Sequence, residues 1–255
     1  MRSAAFFNYL IIMIKKFILL FIICFLAISG YSQSSNDLNN QAWALIEKEK
    51  FVEALKSFEK AIKLDPENGW AYYGAGFVLN FKLKEYKKSI PYYEKAQDLI
   101  KDKPFILSET ALAYDGLKER DKALEFFLKS IELSKSLNEK PATWITLNVA
   151  AYYLFHLKEK NYKEALKYLD IVINSSEYSA ENKDTALDWK SYAYYELKDD
   201  QNFVKFAEDY VANGLNAQTV KVKSDYLANY YYKTGDFEKM KFYANKVGAD
   251  FWITR

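Results

Sequence analysis

The sequence predicts an all-α protein, a right-handed α-solenoid of about six helix–turn–helix units. Three observations predict it. One layout, a large apolar residue, a polar turn, an aromatic and then a small residue, recurs six times along the chain. Within a unit the apolar residues fall on a single helical stripe. And 8 Gly and 4 Pro in 255 residues are too few for an all-β or loop-rich chain. Half the residues are apolar and 22 are Tyr, ample material for a core.

The clearest copies of the layout are residues 45–54 and 231–240. Residues 114–123 repeat it with Arg120 in the aromatic slot. Residues 79–89 carry one extra residue, residues 154–165 carry two, and residues 194–203 form a weaker copy. In the second unit Tyr72, Ala75, Gly76, Leu79 and Leu83 are spaced as one helix face, with Gly and Ala where two helices must approach closely. The following helix answers with Tyr86, Ile90, Tyr93 and Ala96. Two helices alone cannot bury both stripes, so neighbouring units must stack.

The spacing between small slots is uneven. It runs 35 from Ala54 to Ser89, 34 to Ala123, 42 to Ala165, 38 to Phe203 and 37 to Met240. The longest interval contains residues 134–141, a polar stretch ended by Pro141, expected to be a loop and the place for any break in the array. The organisation expected is therefore units one to three over 33–133, a loop over 134–141, units four to six over 142–247 and a cap or tail over 248–255. Pro91, inside the second helix of unit two, is expected to kink that helix or delay its start.

These units resemble the tetratricopeptide repeat (TPR) family, whose members stack antiparallel helix pairs of about 34 residues. Phe51, Ala54, Phe58, Ala61 and Pro66 fall where that family has aromatic, small, aromatic, small and terminating proline residues. Unit five departs most, with Asp200 in the aromatic slot and Phe203 in the small one. The resemblance covers roughly residues 35–247.

Residues 1–32 read as a secretory signal peptide rather than part of the fold. Lys15 and Lys16 precede the apolar run 17–28, and Ser29, Gly30 and Ser32 follow it. At 12 residues the run is short of the ~20 that span a bilayer. Cleavage is expected after Ser32, with Met13 read as the start of the compact leader; the competing reading is an uncleaved inner-membrane anchor. The sole cysteine, Cys24, leaves with the leader. Export across a bacterial inner membrane to the periplasm or envelope follows.

Losing Arg2, Lys15 and Lys16 leaves 33 basic against 34 acidic residues, and a near-neutral chain without a basic stripe is a poor nucleic-acid binder. No membrane insertion of the mature chain is expected. The one histidine, His156, and the absence of a mature cysteine argue against structural zinc, and no glycine pattern suits a phosphate loop. No cofactor, metal or catalytic residue is assigned. A catalytic reading would have to bring Asp188 and Asp225 together.

The resemblance implies that first helices line a concave groove, with the residue after each small slot pointing inward. Those positions are Trp43, Phe77, Leu112, Tyr152, Tyr192 and Asn229. A turn or two either way adds Asn39, Tyr73, Phe81, Asn148, Asp188, Tyr195, Asp225 and Tyr232. The function expected is a non-catalytic scaffold or adaptor that captures a protein or peptide segment on these rings, centred on Phe77, Leu112 and Tyr152. The alternative is a glycan- or peptidoglycan-binding envelope subunit using the same rings. The rings could also do no more than cover the seams between first helices.

Overall fold

The structure, a computed structural model, describes residues 34–248 together with Met13 and Lys16. The remainder of the expected leader, and residues 249–255 of the tail, lie outside the described residues. Twelve α-helices follow in six pairs. They are α1 (Ser35–Glu47) and α2 (Phe51–Leu64), α3 (Gly69–Phe77) and α4 (Tyr86–Leu99), α5 (Pro104–Gly116) and α6 (Arg120–Ser136). Then come α7 (Thr143–Ala151) and α8 (Tyr162–Asn174), α9 (Ala180–Glu196) and α10 (Asp200–Asn213), α11 (Ala217–Thr234) and α12 (Phe237–Val247). No described helix is long and apolar enough to cross a membrane.

The turns inside units one, three, five and six are built the same way. Glu49, Lys118, Lys198 and Gly235 each stand two residues before the second helix with positive φ. In each case that residue's N–H reaches back three residues and the next N–H reaches back five, as Glu49 to Ile46 and Lys50 to Leu45 at 2.9 Å. This pattern closes the last carbonyls of a helix through one left-handed residue. Only the last unit uses glycine there.

Units two and four carry the extra residues, and both absorb one in a wide turn. α3 continues as a π-helical segment, Val78–Lys82, and α7 as Tyr152–His156. Leu83 N–H bonds the Val78 carbonyl at 3.0 Å and Leu157 N–H the Tyr152 carbonyl at 3.1 Å, both five residues back. The second extra residue of unit four lengthens its turn, where the Lys160 ammonium donates to the Phe155 and Leu157 carbonyls.

Packing alternates large and small residues between units. Phe58 and Ala61 of α2 share one buried cluster with Ala71, Ala75 and Val78 of α3. A Cβ on Gly74 would stand 2.3 Å from the buried Phe58 ring, so that ring occupies the space glycine leaves. Gly76 does the same for Tyr93 of α4, at 2.9 Å. The close approach expected at Gly76 is thus helix to ring rather than helix to helix. Phe203, out of place in a small slot, is buried with Ala207 four residues on. Unit four has the reverse order, Ala165 then Leu169. The bulk has moved one turn along the helix face.

Two expectations need correction. α6 runs on to Ser136, three residues into the stretch expected to be loop. The Ser134 hydroxyl donates to the Ser130 carbonyl at 3.0 Å and that of Ser136 to Leu133 at 2.8 Å, so serines that read as a loop stay helical by bonding back to their own turn. Nor does packing break there, because one cluster joins Phe127 and Ile131 of α6 to Ile145 and Val149 of α7. Pro91 does not delay α4, which starts five residues earlier and contains it. The acceptor that loses its donor is the carbonyl of Lys87, an exposed residue near the helix start that water can serve.

Gly76→Leu is expected to lower stability by at least the ~1–3 kcal/mol typical of overpacking, since the Tyr93 ring is fully buried and has no free side to move into. Thermal melting of the variant beside the parent protein checks this.

Candidate functional site

First helices are joined to one another largely by aromatic rings. From α1 to α3, Trp43 lies 6.1 Å from Tyr73 and 5.6 Å from Phe77. From α3 to α5, Tyr73 meets Phe105 edge-on at 5.2 Å, and Trp70 stacks on Phe105 at 6.3 Å. Phe155, at the end of the wide turn after α7, packs on Trp189 and Tyr192 of α9 at 5.6 and 5.4 Å. Tyr195 of α9 meets Tyr226 of α11 at 5.2 Å.

The link from α5 to α7 is different. There the Tyr152 hydroxyl donates to the Asp115 carboxylate, which also pairs with Arg120. Tyr152 is buried, its ring 5.7 Å from Phe127 and 5.9 Å from the Arg120 guanidinium. Burial pushes its phenol up to about 12. This corrects the expectation that Tyr152 stands at the centre of an open groove. It opens the π-helical segment, and there its side chain turns into the core between α5 and α6.

The other expected positions divide by how open they are. Trp43, Tyr73, Phe77, Phe81 and Leu112 are half-buried, and Trp43, Tyr73 and Leu112 pack against core clusters. Phe77 and Phe81, 5.1 Å apart, continue the ladder along α3. Tyr195 and Tyr232 are exposed, and Tyr192 is half-buried. Asn148 spends its amide on the Trp144 carbonyl at 2.8 Å, and Asn229 spends its amide on the Asp225 carbonyl at 3.2 Å. Asn148 also lines a cleft of about 430 Å³ between α7 and α9 with Trp144, Leu147 and Trp189. Asp188 is held by the buried Lys223 ammonium at 2.8 Å, which ties α9 to α11 and occupies one of the two carboxylates a catalytic reading required.

Asn39, Glu109 and Asp225 each keep a buried side-chain oxygen, respectively Oδ1, Oε2 and Oδ1, with no hydrogen-bond partner among the described residues. Glu109 is the strongest case. It lies one turn beyond Phe105 on α5, and its charge acts on both Tyr73 and Tyr93. Asn80, turned inward by the wide turn after α3, bonds the Glu109 backbone carbonyl at 3.4 Å, which leaves the carboxyl itself unserved. Burial raises that carboxyl to about 7. Tyr73 is pushed up to about 12, first by burial and then by the Glu109 charge.

Sequence reasoning missed Trp70, Phe105, Trp144, Trp189 and Glu109. A step of seven residues back from Phe77 and Leu112 reaches Trp70 and Phe105, so two full turns along the same face would have found them. Nothing in the sequence marks Glu109 among 34 acidic residues.

His156 is exposed beside Tyr152, and its pKa is lowered by partial burial and by Arg120, Lys160 and Lys118. All the charges acting on it are cations, which is the reverse of the carboxylate support a catalytic base receives. Among the described residues no three His, Cys, Asp or Glu side chains cluster as a metal site would need.

Comparison with known proteins agrees with this geometry. Residues 44–80 match a TPR repeat model, and residues 71–103 and 110–137 match a tetratricopeptide repeat model. A TPR repeat-containing protein of Methanocaldococcus jannaschii is 30% identical over 118 residues, 45% of this chain. The match spans only 20% of that relative's length. The crystal structure of YrrB, described as a TPR protein with an unusual peptide-binding site, superposes with a TM-score of 0.59 at 18% identity. It covers 76% of this chain and 93% of its own. PilF of Pseudomonas aeruginosa gives 0.53 at 12% identity, covering 86% of this chain and 92% of its own. At these identities the likeness is one of fold, an all-α solenoid of stacked helix pairs.

The Glu109 shift has a stability consequence. Its folded pKa, about 7, lies above the ordinary value of 4.5, so between those values the folded state holds a proton that the unfolded state has lost. Stability therefore falls as pH rises from about 4.5 to about 7, by on the order of 3 kcal/mol, and is level above that. Glu109→Gln is expected to remove this component and to melt higher than the parent at about pH 8. Urea unfolding of both proteins across that range checks it.

Proposed function

We propose that the protein is an exported, non-catalytic scaffold that captures a segment of another protein against the rings of its first helices. The observation that carries this reading is the ladder Trp43, Tyr73, Phe77 and Phe105, continuous over three first helices and buried on one side only. Rings that served only to seal the seams would be covered as fully as Phe58 or Tyr93, which are 0% exposed. Trp70, at the edge of the ladder, is 46% exposed. Large, rigid and partly exposed rings are the usual anchors of protein recognition.

Several further features support the reading. The protein's TPR repeats belong to a class of scaffold that mediates protein–protein interaction. YrrB, alike in fold, is described as having a peptide-binding site. The leader-like residues 1–32 support export, and hence a partner in the periplasm or envelope. The groove is assigned to α1, α3 and α5. Tyr152 is left out because it is core, and Leu112 marks its edge.

The test is capture of envelope proteins by the chain from Gln33 onward, compared with Trp70→Ala, Phe77→Ala. Loss of two anchors is expected to weaken a captured partner at least ~30-fold, the equivalent of ~2 kcal/mol. Lys87→Ala, Lys88→Ala, at exposed positions of the second helix α4, should leave it unchanged. A double groove variant that is folded and binds at full strength would move the site elsewhere.

A further inference from the structure

Resting on that reading of the groove, we propose that the bound segment is basic, an extended peptide whose arginine or lysine is received by Glu109 beside the rings of Tyr73 and Phe105. The position of Glu109 is the first argument. Phe105 and Glu109 are four residues apart on α5 and so share a face, and that face meets Tyr73, whose ring lies 5.2 Å from Phe105. A carboxyl on the same face as aromatic rings holds a cation doubly, through its own charge and through the ring faces.

The second argument is the unserved oxygen. Glu109 Oε2 and the Tyr93 hydroxyl of α4, on which the Glu109 charge acts, are both buried without a hydrogen-bond partner among the described residues, and the nearby Asn80 amide bonds the Glu109 backbone carbonyl. Buried carboxylates ordinarily have such partners, and one without them is open to a donor from outside. The unserved atoms of first helices α1, α5 and α11 are all acceptors: Asn39 Oδ1, Glu109 Oε2 and Asp225 Oδ1. An occupant of this face has to bring donors.

The third argument is charge complementarity. The inward positions Asn39, Trp43, Tyr73, Phe77 and Phe105 include no Lys or Arg, and Glu109 is the ionisable carboxyl among them. Lys82, at the far end of the ladder, already sits 5.3 Å from the Phe51 ring and 5.9 Å from that of Phe77, an intramolecular instance of rings here accepting an ammonium. An acidic segment or a terminal carboxylate would instead bring like charge against a desolvated carboxyl.

The probe is a set of three blocked octapeptides, Ala-Leu-Arg-Leu-Ala-Arg-Leu-Ala and its versions with Gln or Glu in place of Arg. Binding to the chain from Gln33 onward, which holds all twelve helices, is read by fluorescence anisotropy at about pH 8 and physiological salt. The Arg peptide should bind at least ~10-fold more tightly than the Gln peptide, and the Glu peptide more weakly than either. Glu109→Gln should erase the Arg preference and leave the Gln peptide unchanged, whereas Glu132→Gln, exposed on α6, should keep it. Lowering the pH to about 5.5 protonates Glu109 and should erase the preference in the parent alone, a test that needs no variant. The proposal is overturned if the Arg and Gln peptides bind alike, if the Glu peptide binds best, or if Glu109→Gln retains the full preference. If Trp70→Ala, Phe77→Ala leaves all three affinities unchanged, the groove reading falls with it. If that variant weakens all three equally and no Arg preference exists, the groove stands and only its basic partner is wrong.

Discussion

Each helix pair depends on a bulky side chain of one helix entering space that a small residue has left on another. Phe58 fills the place of a missing Cβ at Gly74, and Tyr93 the place of one at Gly76. Because Phe58 and Gly74 belong to different units, this fit is what makes two helix pairs into a stack. The same constraint tolerates exchange. Phe203 with Ala207 occupies one helix face as Ala165 with Leu169 does, bulk and gap reversed, so a unit that reads poorly as sequence still packs. Polar ties reinforce the stack toward the C-terminus, where the Glu208 carboxylate of α10 accepts from Tyr231 at 2.7 Å and Tyr243 at 3.1 Å.

A stack that must keep this fit has limited ways to accept extra residues. Units two and four place one each in a π-helical turn at the end of the first helix, beyond the small slot, so Gly76 and Ala151 keep their contacts. Each wide turn then sends a polar-tipped side chain onto α5, Asn80 to the Glu109 carbonyl from one side and Tyr152 to Asp115 from the other. α5 is therefore the most constrained first helix, and it carries the unserved Glu109. Wide turns in helices are often found near functional sites.

Most of the fold was legible because the repeat states it six times. The small slots, the stripe of the second unit and the polar turns follow from periods that helices impose on sequence. What was not legible depended on departures from a plain α-helix. Tyr152 reads as an inward ring by counting from Ala151, but a turn of different pitch carries it into the core. The serines after Ser130 read as loop by composition, though their hydroxyls can bond back within the helix. Of the aromatic ladder, Trp43, Tyr73 and Phe77 were reached by position, and Trp70 and Phe105 needed only a longer step along the same face. Glu109 could not be found, since burial of one carboxyl among many is a property of packing.

The partly open ring ladder follows from the same fit. First helices that lean on second-helix rings with small residues are free to turn their own rings to the other side, where those rings touch laterally and stay partly open. The claim beneath this is that units hold their neighbours through a bulk-and-gap contact and reach no farther. Amide hydrogen exchange of the parent and of Gly74→Ala, which forces the Phe58 ring to move, tests it most directly. The account predicts faster exchange in α1 to α4 and unchanged exchange in α9 to α12. Equal acceleration in all helices, or no change around α2 and α3, would contradict it.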